Sequence, residues 1–213
     1  MKRYFLLLLL CVPAVAAAHV PVLPQPSSYV DGYVITEPSI SHAFYTELTG
    51  TPQTYLFTLS SDQPLFVELT VPDIKEARDN ITGIIIRKSD NGRYEEVARL
   101  NPQDATWESF FEVFGGDSYR RGASFDGDVK AGEYLLEVST VDNLGKYVLV
   151  VGKEEDLSQV GLFETMKRIY QVKRYFGKPP IAVMQSPFYY VPFAAVVVLI
   201  AVIVWYRKRK SYA

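Results

Sequence analysis

The sequence predicts an all-β fold, an antiparallel β-sandwich of jelly-roll or Greek-key type, followed by an amphipathic α-helix and one C-terminal transmembrane α-helix. Three observations predict it. Between Tyr29 and Val151 short apolar and aromatic runs recur between turn residues, with no helical period. After Gly152 the apolar spacing lengthens to that of a helix. From Tyr189 to Tyr206 no residue is charged, and Arg207, Lys208, Arg209 and Lys210 follow at once.

Taken in order, Met1-Lys2-Arg3 is a basic start, Tyr4 to Val12 is apolar, and Pro13 leads into Ala14-Val15-Ala16-Ala17-Ala18. Residues 1–18 therefore read as a secretory signal peptide whose small residues permit cleavage after Ala16, Ala17 or Ala18, with Ala16 and Ala18 matching the small-x-small pattern best. The chain has 1 cysteine, Cys11, which cleavage removes. Without thiols the exported part has no disulfide staples and depends on its own core. Residues 19–153 are long enough for one domain that buries about two thirds of its unfolded surface. The chain's net charge is −2, from 22 cations and 24 acids. Six of the cations lie in the signal and the tail, so the remainder is acidic. That disfavours a nucleic-acid role, which needs a basic surface to displace counterions.

His19 to Pro26 holds three prolines and should be extended, as a tether or an edge segment. The runs Tyr33 to Thr36, Ala43 to Leu48, Thr54 to Leu59, Leu65 to Val71, Gly83 to Arg87, Tyr94 to Leu100, Trp107 to Phe114, Tyr134 to Ser139 and Tyr147 to Val151 read as strands. Leu65, Val67, Leu69 and Val71 alternate with Phe66, Glu68 and Thr70, which gives each strand one dry face. Thr49-Gly50-Thr51-Pro52, Gly115-Gly116 and Asp142-Asn143-Leu144-Gly145 supply turns, and Asn91-Gly92 predicts a tight hairpin.

The run Lys130-Ala131-Gly132-Glu133-Tyr134-Leu135-Leu136-Glu137-Val138, a turn, then Gly145 to Val151, resembles the closing hairpin of the bacterial pre-peptidase C-terminal domains. Ala43 to Leu48 and Pro64 to Leu69 fit the same pattern. The resemblance implies a secreted jelly-roll module of a kind that accompanies enzymes and helps them bind or mature. The order of signal, sandwich, juxtamembrane helix and anchor also resembles a family of membrane-anchored exported proteins of bacteria and archaea whose motifs are structural and carry no known activity.

Catalysis is not expected, because His19 and His42 are the only histidines and no cysteine remains to build a nucleophile with its base. For metals, cleavage after Ala18 would give His19 a free α-amine beside its imidazole, and with His42 this makes three nitrogen donors. That set resembles a histidine brace and suits copper. Glu112, Asp117, Asp126 and Asp128 offer hard oxygens for calcium, without EF-hand spacing. Trp107, Phe110, Phe111, Phe114, Tyr119 and Phe125 form the densest aromatic group, suited to core packing or to stacking on carbohydrate or a protein partner. Asn80-Ile81-Thr82 is a glycosylation sequon, with meaning only in a eukaryotic secretory pathway.

Residues 154–177 read as an amphipathic juxtamembrane helix, with Leu162, Phe163, Met166, Ile169, Tyr170 and Phe176 on one side and Lys167, Gln171 and Arg174 on the other. Phe163, Met166, Tyr170, Lys167 and Arg174 are candidate contacts to lipid or to a partner, and docking on the sandwich is the alternative. Residues 178–188 form a linker and 189–206 the span. Trp205 and Tyr206 mark one interface, and Arg207, Lys208, Arg209 and Lys210 mark the cytoplasmic side of a tail, 207–213. Pro192 is expected in the first helical turn, where a missing N–H costs little.

These readings predict a single-pass protein of the cytoplasmic membrane, ectodomain outside and C-terminus in the cytoplasm. Its expected role is a non-catalytic binding or scaffold module. The alternatives are an exported copper-binding protein and an accessory subunit of a membrane complex.

Overall fold

The computed structural model describes residues 20–23, 31–75, 77–89, 91–154 and 161–211. The signal peptide and His19 fall outside these residues. The strands are β1 (Val20–Val22), β2 (Tyr33–Val34), β3 (His42–Thr49), β4 (Gln53–Leu59), β5 (Gln63–Pro72), β6 (Thr82–Lys88), β7 (Tyr94–Leu100), β8 (Glu108–Glu112), β9 (Asp117–Val129), β10 (Gly132–Ser139) and β11 (Leu144–Val151). Two helices follow, α1 (Leu162–Tyr175) and α2 (Pro187–Ser211), joined through a short 3-10 helix, Pro180–Gln185.

One sheet has the order β1-β3-β11-β5-β9-β8 and the other β2-β4-β10-β6-β7. Successive strands cross from sheet to sheet, from β3 to β4 to β5 to β6, and the result is a β-sandwich. Its pairing is antiparallel except for β1 on β3 and β2 on β4, which are short and parallel. The proline-rich start is thus an edge strand over Val20–Val22. The Asn91-Gly92 turn closes the β6–β7 hairpin, with Lys88 opposite Tyr94.

Between the sheets lies the main core, where Leu65, Val67, Leu69 and Val71 of β5 meet Tyr55, Leu136, Tyr147 and Leu149. The hydroxyl of Tyr55 lies 2.8 Å from that of Tyr147 and 2.9 Å from Thr46 Oγ1, so the buried phenols satisfy one another.

The six-stranded sheet is covered on its outer face as well. Ala43, Tyr45, Tyr119, Val148 and Val150 point away from the main core and pack against Val172 and Phe176 of α1. This is why Thr70 and Glu68, on the second face of β5, are buried although alternation predicts exposure.

The longest strand, β9 with 13 residues, runs through the acidic, glycine-rich stretch where no strand was expected. Its alternation is interrupted by a β-bulge opposite Glu68 and Thr70. The bulge switches facing, so Tyr119 joins the outer cluster under α1 while Ala123 and Phe125 join the inner core. A two-residue period read across that point fails.

Candidate functional site at the junction of sandwich and helices

The hairpin between β8 and β9 turns through Glu112-Val113-Phe114-Gly115-Gly116-Asp117. The Glu112 carboxylate accepts the N–H groups of Phe114 at 2.6 Å and Gly115 at 2.7 Å, which fixes the turn. Burial pushes the Glu112 carboxyl above its usual range, against those two hydrogen bonds. Gly116 sits at φ 70°, and a Cβ there would come within 2.4 Å of the Gln185 carbonyl oxygen. Only glycine lets the backbone before α2 approach so closely.

Beyond the turn, the Asp117 carboxylate is 1% exposed and meets Lys173 Nζ of α1, itself 0% exposed, at 2.9 Å. Lys178 Nζ pairs with the other carboxylate oxygen. Lys173 also donates to the Gly116 carbonyl at 2.9 Å and to Gln185 Oε1 at 3.3 Å. Burial pushes the Lys173 ammonium below the ordinary lysine range, with Asp117 opposing the shift. The Ser186 hydroxyl donates to the Phe114 carbonyl at 2.6 Å, and the rings of Phe114 and Phe188 meet edge to face at 4.7 Å. Tyr189, in the first turn of α2, donates its hydroxyl to the Met166 carbonyl at 2.8 Å.

On its sheet side α1 is held by Tyr175, whose hydroxyl donates to the carbonyls of Thr46 and Tyr147, while Lys146 donates to the Tyr175 carbonyl at 2.6 Å. Tyr175 and Phe176 also set their rings edge to face against Tyr45, at 5.9 Å each. Sandwich, α1 and the start of α2 thus form one interlocked unit. The linker expected over 178–188 is mostly a 3-10 helix packed into this junction.

From the junction α2 continues for 25 residues, and its most apolar stretch of 18 residues has a mean hydropathy of 2.4 and is not buried. At 1.5 Å per residue it reaches about 37 Å, more than the hydrocarbon thickness of a bilayer. Trp205, Tyr206 and Arg207 to Lys210 lie within its last turns, and Arg209 sits over the Trp205 ring at 4.6 Å. Because α2 begins at Pro187, Pro192 is inside the helix and not in its first turn, and the Phe188 carbonyl loses its usual N–H partner there.

The other sequence-derived candidates are distributed as follows. His42, at the start of β3, has Nδ1 2.9 Å from the Ile40 carbonyl, and Val20 of β1 is registered opposite it. Among the described residues no three His, Cys, Asp or Glu side chains cluster as metal ligands. The four proposed calcium ligands do not converge. Glu112 binds its own turn, Asp117 faces two lysines, and Asp126 pairs with Lys153, nine residues along β9 from Asp117, or about 30 Å of strand. The aromatic group is split as well. Phe114 and Tyr119 are buried at the junction, Trp107 and Phe125 pack on the main core, and Phe111 is exposed. Trp107 packs beside Gly122, which lines an open groove of about 270 Å³ together with Asn101, Asp104, Thr106 and Arg121. On α1, Phe163, Tyr170, Lys167 and Arg174 are exposed and Met166 is half-buried.

Sequence reading missed Lys173, Gln185 and Ser186, and offered Asp117 only as a calcium ligand. Its one available signal is Lys173 itself, a lone cation spaced four after Ile169 and three before Phe176, on the face that otherwise packs inward.

Comparison with known families and with curated proteins gives no match. Among solved structures, the pre-peptidase C-terminal domain of collagenase from Bacillus anthracis is 15% identical and aligns over 61% of this chain and 98% of its own, with a TM-score of 0.35. The Yersinia pseudotuberculosis-derived mitogen is 8% identical over 56% of this chain and 91% of its own, with a TM-score of 0.38. Scores this low carry no functional weight, and the sandwich rests on this chain's own strand pairing.

Proposed function

We propose that this is an exported, single-pass membrane protein whose β-sandwich is held in a fixed pose at the membrane surface as a non-catalytic binding or scaffold module. One observation carries the reading: α2 grows directly out of a segment pinned to the sandwich by Lys173, Gln185 and Ser186. A protein meant only to be retained needs a span and a loose tether. A buried ion pair and two hydrogen-bonded turns at the membrane side instead fix which surface faces outward. The basic end, Arg207 to Lys210, then lies in the cytoplasm.

The test uses alkaline carbonate extraction with single cysteines in a Cys11→Ser chain. The protein stays in the membrane pellet, an impermeant maleimide labels Val141→Cys on intact spheroplasts, and Ser211→Cys reacts only after lysis. Release by carbonate ends the anchoring, and the reverse labelling pattern inverts the orientation. An accessory-subunit role is supported if affinity purification in mild detergent recovers one stoichiometric partner.

A second reading, copper binding by the mature N-terminus, is favoured by one observation. The parallel register of β1 on β3 sets Val20, the residue after His19, opposite His42. Mass spectrometry of the mature N-terminus with a copper titration tests it; a start other than His19, or no stoichiometric binding, ends it.

A further inference from the structure

The geometry points to a second membrane contact, in which the N-terminal turn of α1 and the tip of the β8–β9 hairpin sit in the bilayer interface beside α2. This rests on the anchor reading above and goes beyond it, because a span alone leaves the sandwich free of lipid.

The argument starts from the relative course of the two helices. Lys173 of α1 touches Gln185, just before α2, whereas Met166, two turns earlier in α1, is touched by Tyr189 within α2. As α2 descends, α1 is therefore met progressively nearer its own N-terminus. Leu162 and Phe163 lie another turn beyond Met166, about 5 Å further along the helix, which brings them level with the apolar residues that follow Tyr189. There Phe163 is 87% exposed and Leu162 51%. The exposed Val113 neighbours Phe114, whose ring packs on Phe188, so the hairpin tip lies beside the first turn of α2.

The helix faces agree. At about 100° per residue, Phe163, Met166 and Tyr170 form a stripe roughly 120° around α1 from the stripe of Thr165, Ile169, Val172 and Phe176 that packs on the sheet. Lys167 and Arg174 lie just beyond the first stripe, on the side away from the sheet, and both are exposed. A helix with one face on its own domain, the next apolar and the next basic suits an interface. Aromatic and aliphatic groups enter the acyl boundary while long cationic side chains reach phosphates. The occupant is lipid, because the stripe runs past Met166, whose carbonyl Tyr189 binds, to the exposed Phe163 at the depth of the apolar residues of α2.

The test reads a polarity-sensitive fluorophore on single cysteines of the full chain, in the Cys11→Ser background, reconstituted in phosphatidylcholine–phosphatidylglycerol vesicles with a quencher on the upper acyl chain. Phe193→Cys reports the span and Val141→Cys the aqueous reference. Phe163→Cys should emit to the blue of Val141→Cys and lose about half its intensity to the lipid quencher, as Phe193→Cys does. Quenching at Phe193→Cys with an aqueous signal at Phe163→Cys overturns the second contact and leaves the anchor standing. Aqueous signals at both overturn the anchor and the contact together. A blue shift at Phe163→Cys without lipid quenching means that protein, a second copy or a partner, covers the position, and this also overturns it.

Discussion

The Asp117 carboxylate and the Lys173 ammonium lie 2.9 Å apart where neither side chain is more than 1% exposed. The close approach of Gly116 to Gln185 and the Ser186–Phe114 hydrogen bond lie within a few residues of this pair. Such a pair is costly to break from one side, because the remaining charge stays buried without its counterpart.

Asp117→Leu should therefore lower the stability of the full chain in detergent by about 3 kcal/mol. Adding Lys173→Met removes the stranded ammonium and should recover a large part of the loss. Thermal or urea melts of both singles and the double give the coupling directly. Additive losses would place the junction's strength elsewhere.

Gly116→Ala and Gly92→Ala separate close approach from backbone conformation. Both glycines have positive φ, 70° and 77°, but nothing lies within 4 Å of a Cβ at Gly92. Gly92→Ala should cost about 1 kcal/mol. At Gly116 the new methyl group meets Gln185 backbone, so the expected loss is larger and local. Limited proteolysis should cut the 178–186 segment of this variant faster than the native one.

Stability should depend on Glu112 through pH. Its folded pKa is raised by burial, so its contribution is fully present below the ordinary glutamate value of 4.5 and is lost as pH rises through the raised value. Glu68 is shifted the same way for the same reason, with Arg121 opposing. A Glu112→Gln chain should lose less melting temperature than the parent as pH climbs from 4 to 7. Identical slopes would count against a buried Glu112.

The phenol chain in the main core gives an independent check. Burial holds the Tyr55 hydroxyl up at about 12, and it bridges Thr46 and Tyr147. Tyr55→Phe breaks both hydrogen bonds and should cost about 2 kcal/mol, whereas Tyr147→Phe leaves Tyr55 with Thr46 and should cost about 1 kcal/mol. Chemical denaturation of the two variants settles the order.

How much of this was legible in the chain follows from the range of the forces involved. Leu65 to Val71 and Tyr134 to Ser139 announce strands because each residue's neighbours two away share its face, a property local to a few residues. Tyr189 to Tyr206 announces itself because solvent transfer adds along an uninterrupted apolar run. β9 was not legible, since its bulge reverses facing midway and its glycines weaken strand preference. Nor was the burial of Glu68, which depends on its place in a sheet covered on both faces.

The sequence by itself determined the class of the sandwich, the apolar helix at its end and the amphipathic stripe between them, because composition and periodicity act within one element. Only the tertiary structure decided that α1 lies on the six-stranded sheet and that Asp117 meets Lys173 56 positions away. It also decided that the stretch before α2 is a packed junction. Those outcomes depend on which surfaces close against one another, and a buried lysine becomes tolerable only when folding delivers its carboxylate.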